Sequence, residues 1–134
     1  MVNVIPKPLF LTDTLMQIAA DNYEAGLTAV LFTPPAPVKF TGMTPTAVFS
    51  QLPAEWTCQI DYVQDWDSAG SLSQYLLDNV GKQVTAVFTP KKGTGKKFTA
   101  TITILPGPIG GTGGAFATAS VTLSASIPVA SAAV

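Results

Sequence analysis

Four stretches of this chain alternate, residue by residue, between apolar side chains and hydroxyl or amide side chains. In "WTCQIDYVQ" (56–64), Trp56, Cys58, Ile60 and Tyr62 share one face, and Thr57, Gln59 and Asp61 share the other. "KQVTAVFT" (82–89) puts Val84, Ala86 and Phe88 on one side. "FTATITIL" (98–105) sets Phe98, Ala100, Ile102 and Ile104 against threonines, and "AFATASVTLSA" sets Ala117, Ala119, Val121 and Leu123 against Thr118, Ser120 and Thr122. A period of two belongs to a strand with one face in a core. Two mixed apolar and threonine runs, "LFLTDTLMQI" (9–18) and "GLTAVLF" (26–32), add further strand candidates. The expected fold is mainly β.

Only "SLSQYLLDNVG" (71–81) reads as a helix, expected over 71–80. Ser71 and Gln74 have capping-box spacing, Leu72, Tyr75 and Leu76 form an apolar stripe, and Gly81 suits the left-handed stop. A short amphipathic helix on a β-domain must lie against a sheet. Prolines 34, 35, 37 and 45 make 33–47 an extended loop with at most a short edge strand. "PGPIGGTGGAF" (106–116) has five glycines and no charge, and reads as a flexible connection or contact loop. One domain is expected over 1–134, with an N-terminal arm or strand at 1–20 and a C-terminal tail at 124–134.

Of the 134 residues, 47% are hydrophobic and only 11% are charged, with a net charge of −1. A free monomer normally carries more surface charge, so copies or partners are expected to cover much of this chain. The charge balance argues against nonspecific binding to nucleic acid or anionic membranes. The lone cysteine, Cys58, is expected in the core and not as a reactive thiol. The opening "MVNVIPKPLF" lacks the pattern of a secretory signal, and no apolar run has membrane-spanning length.

There is no histidine and no arginine, which removes Ser-His triads, Cys-His dyads, histidine metal sites and arginine clamps. "TPKKGTGKKF" (89–98) holds four of the seven lysines around two glycines. As a phosphate loop it fails: Pro90 stands where the first glycine belongs, Lys97 replaces the metal-binding hydroxyl, and a strand follows instead of a helix. It reads as a hairpin tip kept soluble by lysine. "DYVQDWDSAG" imitates the start of a calcium loop from Asp65 through Asp67 to Gly70. Ala69 and Leu76 then occupy ligand positions, so Asp65 and Asp67 are better read as acids before a helix N-terminus. Trp56 fits the core face and Trp66 the approach to the helix. No cofactor or metal is expected, and no enzyme.

The order "WTCQIDYVQDWDSAGSLSQYLLDNVGK", followed by "VTAVFTP", "FTATITILPGPIGG" and "GAFATASVTL" and preceded by "ADNYEAGLTAVLFTP", resembles the major tail tube proteins of long-tailed bacteriophages, particularly those of actinobacterial phages. The likeness covers about Asp21 to Leu123. It implies two packed antiparallel β-sheets, sandwich- or barrel-like, with one flanking helix. It also implies rings, typically hexameric, stacked around a tape-measure protein, with relatives in contractile-tail and type VI secretion tubes. Expected partners are then other copies, the tape measure, tail-tip or baseplate and tail-terminator proteins; genomic DNA passes through the lumen without specific binding. The place implied is the virion tail, assembled in host cytoplasm.

Under that resemblance, Lys91, Lys92, Lys96 and Lys97 are expected to meet acidic surface such as Asp61 and Asp65 on an adjacent copy. The loop carrying Pro34, Pro35, Pro37, Lys39 and Pro45 is a second interface candidate. The competing readings are another virion or surface β-module (decoration, tail-terminator or receptor-binding domain) and a small carboxylate-dependent hydrolase.

Overall fold

The computed structural model describes residues 2–11, 13–19, 21–44, 48–51, 55–93 and 95–132. Its strands are β1 Leu15–Ile18, β2 Asp21–Asn22, β3 Leu27–Thr33, β4 Val38–Thr41, β5 Val48–Gln51, β6 Trp56–Val63, β7 Gln83–Thr89, β8 Lys96–Thr103, β9 Thr118–Ala125 and β10 Val129–Ala132; helix α1 is Leu72–Asp78. The main sheet runs β2–β1–β7–β8–β9–β6–β3, with β10 also beside β8, and every pair is antiparallel.

One strand changes partners. Thr118 to Ala125 lies along β6 from Val63 to Trp56, whereas Ala125 also meets Ile102, and Val129 to Ala132 lie along Thr99 to Lys96 of β8. Between the pairs Ala125–Ile102 and Val129–Thr99 the chain advances four residues against three on β8, so one extra residue is absorbed. Such a bulge bends a strand and tightens its twist. Ser126 holds the corner: its N–H donates to the Thr101 carbonyl, and its Oγ accepts from Thr101 N, both at 2.9 Å. Pro128 then follows, with no N–H to offer a ladder.

The bend lets both halves of the sheet feed one core. Cys58, Ile60 and Tyr62 of β6 and Val121 and Leu123 of β9 are buried with Met16 and Ile18 of β1, Ala86 and Phe88 of β7, and Ile102. Phe32 of β3 reaches Phe88 of β7 with ring centroids 6.1 Å apart. The alternation expected from the sequence is therefore present on β6, β7, β8 and β9. Cys58 is a core hydrophobe, and burial pushes its thiol up to about 12.

Helix α1 covers the core with Leu72 and Leu76. Ser71 Oγ accepts from Gln74 N at 3.4 Å, as capping-box spacing predicts. The reciprocal bond is absent, because Ser71 N already donates to the Ser68 carbonyl; the Gln74 amide instead donates to the Trp66 carbonyl at 2.6 Å. Gly81, at φ +84°, stops the helix and donates to the Ile104 carbonyl at 2.8 Å.

Three expectations need correction. Residues 9–11, 13 and 14 are not strand, so the first strand is confined to 15–18; Pro8 beside them has no N–H for a ladder. The 33–47 stretch is more than a loop with an edge strand, because Val38–Thr41 pairs with Val48–Gln51 as a separate two-stranded ribbon. The described part of the 124–134 tail, 124–132, is largely strand: it completes β9 and then forms β10.

Gly107 lies against the buried Tyr62 hydroxyl, so closely that a methyl group there would collide with it. Gly107→Ala is expected to cost about 1–3 kcal/mol, as overpacking does, with part of the loss recovered by Tyr62→Phe in the same chain. Urea unfolding of the wild type and the two variants checks this; unchanged midpoints would mean that the loop lifts freely.

Candidate functional site

The lysine-rich segment is the connection of the β7–β8 hairpin, with Gly93 and Gly95 at φ +79° and +76°. Lys91 and Lys92 sit in the turn; Lys96 and Lys97 already belong to β8, opposite Ala132 and Ser131 of β10. The turn is pinned at its base, where Lys92 N donates to the Asp13 carbonyl at 2.8 Å. Among the described residues these four ammonium groups form no ion pair. The structure gathers them at one end of the β7–β8 hairpin.

The two acids expected to answer them have different settings. Asp61 lies on the polar face of β6, where Gln59 Nε2 donates to its Oδ1 at 3.5 Å and also to Ser120 Oγ at 3.4 Å. Asp65 is a loop-building residue: its Oδ1 accepts from Ser68 N at 3.1 Å and Asp67 N at 3.0 Å. Those bonds, Ser68 first, hold its carboxyl below the usual aspartate range. Asp65 N donates to Ser73 Oγ, and the Asp65 carbonyl accepts from Ser71 Oγ at 2.6 Å. "QDWD" thus works as a structured lead into α1, and Trp66 joins it by donating its indole N–H to Gln64 Oε1 at 3.2 Å. Among the described residues no group of three or more Cys, Asp or Glu side chains is placed to hold a metal ion.

Gln64 carries the most concentrated set of contacts, and nothing in the sequence singled it out. Its Nε2 donates to the Gly110 and Thr118 carbonyls at 2.8 and 3.0 Å, its Oε1 accepts from Gly110 N at 3.0 Å, and its own N–H meets the Ala117 carbonyl. One amide therefore fixes the middle of the glycine-rich stretch, which composition alone marks as flexible. Beyond that latch Ile109 and Phe116 face solvent, Phe116 at 95% exposure.

The proline-rich segment places Pro34, Pro37 and Lys39 in solvent and half-buries Pro35; Pro45 lies outside the described residues. Its ribbon pairs only with itself among the described strands, and it presents Val38 at 62% exposure and a fully exposed Met43. The N-terminal arm is equally open, with Val2, Val4 and Ile5 all more than four-fifths exposed. Across β6 and β9 the outward face is Thr57, Gln59 and Asp61 beside Ser124, Thr122 and Ser120, and β3, β6 and β9 carry no lysine.

Two grooves follow the outer edge of β3, which among the described strands pairs only with β6. One, about 390 Å³, is lined by Leu27 to Val30 together with Asp13, Glu24 and Met16; the other, about 350 Å³, by Val30 to Phe32 together with Trp56, Phe88 and Phe98. Leu11, Val30 and Phe88 belong to both. Glu24 Oε2 is shielded from solvent and has no hydrogen-bond partner among the described residues. Sequence reasoning missed Asp13 and Glu24, since eleven positions separate them and only folding sets them in one groove.

No protein-family profile matches the chain, and comparison with curated proteins finds no match.

Two outcomes are expected. Gln64→Ala frees Gly110 N–H, so amide exchange at Gly110 should quicken about fivefold or more, a hydrogen bond being worth ~1 kcal/mol; unchanged exchange would remove Gln64 as the latch. For Asp65, whose native pKa is lowered, the stabilising contribution is present above about pH 4 and fades as pH falls through the native value. The melting-temperature gap between wild type and Asp65→Asn should therefore be widest near neutral pH and close in acid; a gap that widens in acid would contradict this.

Proposed function

We propose that this chain is a structural subunit that assembles with its own copies into stacked rings, forming the tail tube of a long-tailed bacteriophage and the conduit for its genome. The observation that carries the reading is the distribution of apolar surface. A buried β core is complete within one copy, yet large apolar side chains project on the arm, the ribbon and the glycine-rich loop. A two-stranded ribbon is marginal in water by itself, and apolar projections of this kind are typical of surfaces that associate. The scarcity of charge supports the same reading: a surface largely covered by neighbours needs little of it.

In this reading the two halves of the main sheet, joined at the Ala125 corner, correspond to the two packed sheets of a tail-tube subunit. The hydroxyl face of β6 and β9 suits a wet lumen. It carries Asp61 and no lysine, so it offers phosphate no cation to hold and lets DNA pass. The four lysines stand at the end of a hairpin, where they can meet acidic surface on a neighbour, and the proline-rich ribbon is the second contact. The tape-measure, tail-tip and tail-terminator proteins are the partners that assembly of this kind requires. Among the described residues no helix is long and apolar enough to cross a membrane.

Concentrated protein viewed by negative-stain electron microscopy over several days should show rings or hollow tubes of constant diameter. Lysines 91, 92, 96 and 97 changed together to serine should slow assembly and blunt its response to salt, because exposed charge pairs are screened within about 10 Å at 0.1 M. A protein that stays monomeric even with tape-measure and tail-tip proteins added, or that binds sugar or cell wall instead, would replace this reading with a decoration or receptor-binding module.

A further inference from the structure

We infer that the groove along β3 is a docking site for the N-terminal arm, residues 2–8, of a second copy of this chain, added as an extended strand; the inference rests on the self-assembly reading above. The groove has the shape of a strand. Its two parts share Leu11, Val30 and Phe88 and follow β3 without interruption from Leu27 to Phe32. β3 pairs only with β6 among the described strands, so its outer edge offers backbone N–H and C=O groups to an added strand.

The chemistry of the groove changes along its length. The end near Phe32 is apolar, with Trp56, Phe88 and Phe98 around it. The end near Leu27 is polar and carries Asp13 and Glu24, the latter with a shielded oxygen that no donor among the described residues reaches. A shielded carboxylate oxygen without a partner is costly and calls for a donor.

The arm "VNVIPKP" has the complementary layout: an apolar Val2–Ile5 segment and a cation at Lys7. Val2 to Lys7 spans five residue steps, about 16 Å in extended form at 3.3 Å per residue. That is enough to cover Leu27 to Phe32, which a bulge between Leu27 and Ala29 shortens to the four steps of Tyr62 to Cys58 on β6. With Val4 opposite Leu31, Ile5 lies over Val30 at the aromatic end and Lys7 falls near Thr28 at the acidic end, where it supplies Glu24 with its donor. An arm entering a neighbour's groove is a head-to-tail contact, which propagates into rings or filaments instead of stopping at a dimer.

The test uses full-length chains. Val4→Cys copies are mixed with Leu31→Cys copies under mild oxidation, and the linked peptides are identified by mass; Cys58 is fully buried and stays silent. Because docking raises the local thiol concentration, the Val4–Leu31 linkage between copies should exceed the Val4–Phe116 linkage of a matched Phe116→Cys control by about tenfold. Lys7→Glu, or Glu24→Lys, should each cut that yield by about tenfold, and the two together should restore it, since charge pairs across an interface are coupled.

Yields equal to the Phe116 control would overturn the inference. So would a linkage formed within one chain in a Val4→Cys/Leu31→Cys double variant at high dilution, or a preferred linkage of Leu31→Cys to Lys92→Cys, which would seat the lysine hairpin in the groove instead. Tubes seen by microscopy without the Val4–Leu31 linkage sink this inference and leave the tube reading standing. The linkage without tubes upholds the docking and removes the tube.

Discussion

The structure depends on one bent strand. From Thr118 to Ala132 the chain serves first β6 and then β8, and the change occurs over a few residues. Had it stayed straight, the apolar faces of β6 and β9 would form one side of a flat sheet, and the residues of β1 and β7 would need some other cover. The extra residue after Ala125, the Ser126 bonds to Thr101 and the missing donor at Pro128 together turn the strand. One core then receives side chains from both halves, and Phe32 meets Phe88 across it.

That curvature also leaves β3 without a second strand partner among the described residues. An open edge is a liability for a protein meant to remain single, and such edges are usually shortened, charged or covered. Here β3 is seven residues long and carries no charge. A low-charge surface, an exposed apolar ribbon and an open edge all fit the proposed association between copies. Reading these features as a proposal for a tube joins them to the hydroxyl face of β6 and β9 under a single physical account.

Side-chain amides and carboxylates do the work of secondary structure in the loops. Gln64 binds Gly110 through both ends of its amide, acting as a strand neighbour would, and Asp65 gathers two backbone N–H groups before α1 begins. Both residues come directly after β6. A short polar segment thereby links the end of that strand, the helix start and the glycine-rich stretch.

The period-two alternation of β6 to β9 and the helix at Ser71 were legible in the sequence, because they express a local rule: which side chains share a face of one element. The burial of Cys58, the left-handed Gly81 and the hairpin under the lysines follow from the same local logic. What is decided between elements was not legible. The capping box closes only halfway because Ser68, outside the motif, takes the Ser71 N–H. The tail becomes β10 because β8 has room beside Thr99. Asp13 and Glu24 share a groove only because β1 and β3 come to face each other there. The sequence by itself determined strands β6 to β9, the helix and which face of each is apolar, since these depend on neighbours a few residues apart. Tertiary structure alone decided where the sheet turns, which edge stays open and which charges meet, since these depend on contacts between residues far apart in the chain.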